Sequence, residues 1–198
     1  MTSERIAALC RVAWAIGRRD STRLDAALDA CAASESRCHV VEAILQGIPY
    51  SGFPSAIEAL GRWSDRERAG GFAADRPVEV EGSDSERVTR GRQIFEAVYG
   101  RLTDRVLSTL RSRHPDLERW ILGFAYGRVM GRGHLELADL EALGVASLLG
   151  QGLLAPLHSH LRGAHRMGWS KEDLRNLVRL LAADDSAGIR ALEIVDDL

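Results

Sequence analysis

Across most of this chain the apolar residues recur every three or four positions, and that period restricts it to packed helices. Ile6, Leu9, Ala13 and Ile16 fall on one helical stripe, and Val41, Ile44 and Leu45 on another. Phe95, Tyr99, Leu102, Val106 and Leu110 continue the pattern, followed by Leu117, Trp120, Ile121 and Phe124. Leu137, Leu140, Leu143 and Leu148 run into a turn at Gly150-Gln-Gly152, beyond which Leu153, Leu157, Leu161 and Ala164 resume it. Helix starts are marked by side chains that can accept from the free N–H groups of a first turn. Ser170, with Asp173 three residues on, has a capping-box arrangement, and Asp20 or Ser21, Ser34 and Ser36 are further caps. Pro54 fits the first turn of a helix running to about Trp63. Val78-Glu-Val-Glu81 alternates like a strand but has no partner strand in the sequence. The expected fold class is all-α, a helical bundle.

One helical pattern occurs twice. Residues 7–16 (AALCRVAWAI) lie over 141–150 (EALGVASLLG) at an offset of 134, and 33–36 over 167–170 at the same offset. Ser55-Ala-Ile-Glu-Ala-Leu60 then lies over Ala187-Gly-Ile-Arg-Ala-Leu192, the connection being two residues shorter. The copies divide their polar groups. Glu141 and His160 stand opposite Ala7 and Ala26, whereas Gln46 and the Tyr50-Ser-Gly-Phe-Pro54 turn belong to the first copy alone. Two degenerate copies with divided polar groups imply one working site per chain.

Composition removes several function classes. The 198 residues carry 26 basic and 28 acidic side chains, so no net field favours nucleic acid or an anionic membrane. No run of 18 apolar residues exists to span a bilayer, and no secretory signal is recognisable. Cys10, Cys31 and Cys38 form no CxxC pair and have no histidine at zinc-finger spacing. The expectation is a cytoplasmic protein with reduced thiols and no metal site. Trp14, Tyr50 and Phe53 read as core, and Cys10 as a small buried hydrophobe.

Arg90-Gly-Arg-Gln-Ile-Phe-Glu-Ala-Val-Tyr-Gly100 resembles the opening of the carboxymuconolactone decarboxylase family, which includes the alkyl hydroperoxidase D-like proteins. The resemblance continues through Phe124–Gly127, Gly133–Leu137, Asp139–Glu141, His160–Ala164 and Gly168–Ser170, and in the first copy through Glu42–Gln46 and Tyr50–Pro54. The family's peroxidase pattern is a glutamate, a CxxC pair, and a histidine four residues after the second cysteine. On this chain the resemblance makes Glu141 the glutamate and His160 the histidine, while Leu153 and Pro156 occupy the cysteine positions. The chain is therefore similar to a tandem-repeat member lacking the CxxC redox motif, and the decarboxylase branch is the nearer likeness. The expected organisation is a degenerate repeat at 1–63, a linker or surface loop at 64–86, and a carboxymuconolactone decarboxylase-like helical domain at 87–198.

Helix geometry makes a separate argument for the pair. Glu141 lies ten residues before Gln151 and His160 nine after it. At about 1.5 Å per residue, both sit roughly 14 Å from the turn and level with each other in an antiparallel hairpin. A carboxylate there fixes the imidazole tautomer and raises its basicity. The expected reaction is proton transfer during decarboxylation or isomerisation of a small anionic lactone or oxo acid, which supplies its own electron sink and calls for no cofactor. His160 is the expected acid/base and Glu141 its orienting group. Arg162 is a substrate anchor with Arg128 and Arg132 as alternatives, and Gln46 and Tyr50 approach the same seam. The alternatives are a non-catalytic helical assembly protein and, from the family's other branch, a thiol-dependent peroxidase. The resemblance also implies a homo-oligomer, a trimer first among them.

Overall fold

A computed structural model describes residues 4–78, 82–183 and 185–198, and among them every regular element is a helix. Of the Val78-Glu-Val-Glu81 segment, residues 79–81 lie outside the described residues. The chain divides into two compact units, one of residues 1–76 and 136–198, the other of 77–135. This division differs from the expected one, because both ends of the chain build a single core and the 87–198 segment is shared between the units.

In the first unit the chain begins with α1 (Glu4–Arg18), α2 (Ser21–Ala32), a short 3-10 turn, α3 (Val40–Gln46) and α4 (Ile48–Gly70). Asp20 caps α2 by accepting from the Arg23 N–H, and Ser34 caps the 3-10 turn. Ser36 is no cap; its hydroxyl donates to the Arg5 carbonyl. α4 is interrupted at Gly52, whose φ of 81° only glycine adopts without strain, and Pro54 opens the regular part. That helix continues seven residues past the expected end at Trp63. Trp63 and Glu67 are buried, while Arg62 and Arg66 reach Asp25 and Asp29 on α2. Such contacts between distant segments leave no trace in a local pattern. The expected loop therefore shrinks at both ends, because α5 (Asp84–Tyr99) starts at a Ser83–Glu86 capping box.

The second unit is formed by α5, α6 (Thr103–Arg113), α7 (Pro115–Trp120) and a π-helical stretch over Ile121–Val129. Gly91 and Gly127 let α5 lie against that stretch, since a Cβ at either would meet the backbone carbonyl of Leu122 or of Arg87. Phe95 fills the space beside them, stacked on Tyr99 and edge-on to Tyr126.

The chain returns to the first unit with α8 (Leu137–Gln151), α9 (Leu154–Arg166), α10 (Lys171–Ala182) and α11 (Ser186–Asp196). α8 is buried over every residue from Leu140 to Gly150, so it is the centre of the core. Ser170 caps α10 as expected. Burial recurs in matching register. Leu24, Ala27, Leu28 and Cys31 are buried on α2, and Leu157, His160, Leu161 and Ala164 on α9, a shift of 133. Val40, Ala43 and Ile44 match Leu174, Leu177 and Val178 at 134, and Ala56, Ala59 and Trp63 match Gly188, Ala191 and Val195 at 132. On α2 and α9 the burial shift is thus one residue less than the sequence offset. Glu141 and His160 fall opposite Ala8 and Ala27 rather than Ala7 and Ala26.

α1 and α8 cross in van der Waals contact of their backbones. A Cβ on Gly17 would strike the Ser147 carbonyl, and a Cβ on Gly150 would strike the Trp14 carbonyl. At the shift of 133 these two contacts are the same contact. Just beyond them, Arg19 (φ 57°) and Gly152 (φ 69°) both take the left-handed conformation that ends a helix.

Candidate functional site

α8 and α9 are joined by the turn at Gly152–Leu153, and the fixed helical rise brings Glu141 and His160 level across their seam. The Glu141 Oε2 and His160 Nδ1 atoms are 3.0 Å apart. Glu141 is fully buried and His160 is 9% exposed. Nδ1 is tied to the carboxylate, and no hydrogen bond holds Nε2 among the described residues. The second carboxylate oxygen, Oε1, is buried without a hydrogen-bond partner among the described residues.

Residues from the first half complete the cluster. The kink at Gly52 turns the start of α4 toward the seam, where Tyr50 meets the His160 ring edge-on with centroids 5.3 Å apart. Gly144 leaves the necessary space: a Cβ there would lie 2.7 Å from the Tyr50 hydroxyl and 3.1 Å from His160 Nδ1. Gln46 donates through Nε2 to the Leu140 carbonyl at 3.4 Å, one residue before Glu141, and its own Oε1 is buried and unpartnered. Gln46, Tyr50, Glu141 and His160 therefore gather in one place although they span more than half of the chain.

Arg162 does not join them. It lies two positions beyond His160 on α9, about 200° around the helix, and is exposed. Arg128 and Arg132 belong to the 77–135 unit, where Arg132 donates to the Pro77 carbonyl. Sequence reasoning did not single out Arg19. A cavity of about 320 Å³ is lined by Arg18, Arg19, Tyr50, Ser51 and Gln151 together with Gly17, Gly150 and Leu153. Glu141 and His160 are not in its wall; Tyr50 is the residue that belongs to both cavity and cluster. Arg18 is committed to Asp185, whereas the Ser51 hydroxyl is buried and unpartnered. The only sequence signal for Arg19 is a non-glycine residue where a helix ends just before the Asp20 cap.

Around the site, burial raises the Asp139 carboxyl above its ordinary range although Arg5 lies 3.2 Å away. Burial likewise pushes the Cys31 thiol up to about 12 and the Cys10 thiol higher still, so neither supplies a thiolate at neutral pH. Cys38 is exposed. Leu153 is exposed at the start of α9, and Phe53, expected in the core, is 56% exposed. No group of three metal-ligating side chains occurs among the described residues. None of the described helices is long and apolar enough to cross a membrane.

No family model matches the chain. It is similar to a 4-carboxymuconolactone decarboxylase of Acinetobacter baylyi, 28% identical over 123 residues that cover 59% of this chain and 92% of that protein. This distant likeness points to the carboxymuconolactone decarboxylase family. The chain is also 32% identical over 138 residues to Peroxisomal protein 2 of Schizosaccharomyces pombe, covering 67% of this chain and 62% of that protein. Peroxisomal protein 2 of Saccharomyces cerevisiae is 30% identical over 86 residues, 43% of this chain and 30% of that protein. The chain thus spans less than two thirds of the length of either yeast relative. Their shared name is peroxisomal, so the expected cytoplasmic location does not follow from likeness.

Proposed function

We propose that the chain is a carboxymuconolactone decarboxylase-like protein in which Glu141 and His160 act as a cofactor-free acid/base pair on a small anionic lactone or oxo acid. The observation that carries this reading is the imidazole held at Nδ1 by a buried carboxylate while Nε2 has no hydrogen-bond partner among the described residues. A structural histidine in a core ordinarily has both nitrogens satisfied. When the substrate carboxylate leaves as CO2, its bonding electron pair delocalises into the conjugated carbonyl. His160 delivers a proton from Nε2 to carbon, and the imidazole is reprotonated from water. Glu141 stabilises the imidazolium, and Tyr50 fixes the ring plane from the side. The anchoring role expected of Arg162 passes to Arg19, whose guanidinium shares a cavity wall with Tyr50 and Ser51.

The matched burial of α1–α4 and α8–α11, and the reciprocal contacts at Gly17 and Gly150, support an internal duplication in which one copy kept the acid/base pair and the other the Gln46–Tyr50 segment. The test is turnover of 4-carboxymuconolactone and a panel of oxo acids by the wild-type chain and by His160→Ala. Turnover that is absent from both, or equal in both, overturns the acid/base role.

A second reading, a helical assembly protein, draws support from Phe53 and Ile57, which are 56% and 68% exposed and four residues apart on one face of α4. Self-association into a trimer through this face predicts that Ile57→Glu shifts the sedimenting species to a monomer of about 22 kDa. A wild-type monomer at micromolar concentration would remove that reading.

A further inference from the structure

A cavity of about 860 Å³ in the first unit lies between α1, α2 and the connection from α10 to α11. By the register of burial it stands where the Glu141–His160–Tyr50 cluster has its counterpart. At the shift of 133, Ala27 replaces His160 and Arg11 replaces Gly144; at 134, Leu180 replaces Gln46. Small side chains at Ala26, Ala27 and Ala30 leave one wall low. Charge gathered around that space. Arg11, Arg18, Arg23 and Arg179 line it, with Asp185 as the one carboxylate among its described lining residues. Arg18 pairs with Asp185, Arg23 with Asp20 at 3.6 Å and Arg179 with Glu172 at 3.8 Å. Arg11 makes no ion pair among the described residues. Trp14 also lines the cavity, with the Arg18 and Arg23 guanidinium carbons 5.4 and 5.1 Å from its ring centroid. Trp14 is 5% exposed, and its indole N–H is buried without an acceptor.

We propose that this cavity is a second ligand site, distinct from the acid/base cluster, for an organic anion carrying at least two negative charges on an apolar body. The arginines supply charge-assisted donors, and the alanine and leucine walls receive the carbon skeleton. Arg11 has no carboxylate partner among the described residues, and Arg23 and Arg179 meet theirs only at 3.6 and 3.8 Å, so an entering anion gains charge-assisted hydrogen bonds that these groups do not yet make. An apolar ligand without charge would leave them unsatisfied, and inorganic phosphate would leave the apolar walls wet.

The site is tested by calorimetric titration of the full chain with naphthalene-2,6-dicarboxylate and with 2-naphthyl phosphate, which present carboxylate and phosphate charge on a flat apolar body. Inorganic phosphate and naphthalene serve as the two half-probes. At least one of the dianions is expected to bind saturably, more tightly than either half-probe and more weakly as salt rises. The Arg11→Ala/Arg179→Ala variant is expected to lose about tenfold or more, the loss of one charge-assisted hydrogen bond. Ala30→Trp, which fills the cavity from an exposed wall position, is expected to abolish binding, whereas Arg68→Ala, an exposed arginine elsewhere, leaves it unchanged. Preference between the two dianions identifies the charge the site takes. No saturable heat with either, or identical titrations for wild type and both cavity variants, overturns the proposal. Melting curves of each variant show that it is folded.

Discussion

The four positions that α2 buries are buried in α9 too, yet the second of those is Ala27 in one helix and His160 in the other. Beside His160 stand a carboxylate bonded to its Nδ1 and a tyrosine ring against its edge. Around Ala27 stand arginines and alanines bordering open space. The framework is set by which positions face the core, and both helices satisfy it equally well. The chemistry is set by one side chain, tolerated in the interior only because Glu141 pairs with it. Without a partner carboxylate, burying a histidine costs stability without return, and a small residue beside a solvent-filled pocket is the stable alternative.

The largest effect that would break this contrast is chemical. His160→Ala makes α9 like α2: turnover is expected to fall by about 10²–10⁴-fold, and the melting temperature to fall as well, because the fully buried Glu141 loses the partner of its Oε2. A next, structural, test uses the crossing of α1 and α8. Gly17→Ala and Gly150→Ala each drive a methyl group into a backbone carbonyl that cannot move independently, so each should destabilise by about 2–4 kcal/mol in urea unfolding. Similar losses are expected because the two contacts are related by the register. Strongly unequal losses would show that the halves only look alike.

A smaller effect separates α4 from its shorter counterpart α11. The extra turns of α4 carry Glu67, which accepts from the Ala74 N–H at 2.7 Å and binds Arg76. The hydrogen bond from Arg76 holds the Glu67 carboxyl below its ordinary value of 4.5, with the Ala74 N–H acting in the same direction. A depressed carboxyl contributes stability that is fully present above the unfolded value and is lost as pH falls through the folded one. Glu67→Gln should therefore cost about 1–2 kcal/mol at pH 7, discounted because Arg76 is half-exposed, and nothing once the wild-type carboxyl is protonated in acid. The smallest effect has the opposite sign. Arg19→Gly restores the residue found at the equivalent position 152. It should raise stability by about 0.5–1 kcal/mol by relieving a left-handed non-glycine conformation, while raising KM for an anionic substrate.

The helices were legible because their period is local, and so was the level placement of Glu141 and His160, which follows from rise per residue and the position of one turn. The approach of Gln46 and Tyr50 was legible only as a consequence of the divided repeat, since no local pattern links residue 50 to residue 160. The arginine was not legible. Arg162 is close to His160 in sequence but faces away, and Arg19 is distant in sequence but shares a cavity with Tyr50. The end of α4 was missed for the same reason: its last two turns are polar by composition and are held by Asp25 and Asp29 on another helix. The one-residue difference between sequence offset and burial shift arises because similarity in apolar helices survives small slips in register, whereas burial does not.

The core of the first unit takes material from both termini, and residues 77–135 run between the two contributions. That intervening unit acts as a covalent leash. It turns the meeting of α1 with α8 from an encounter between two molecules into a ring closure, at an effective concentration fixed by the chain itself. The glycine contacts need hold only against local fraying, because the ends of one polypeptide cannot dilute away from each other. Lengthening the leash should be cheap, since closure entropy grows only logarithmically with loop length, whereas severing it would make the core's integrity depend on protein concentration.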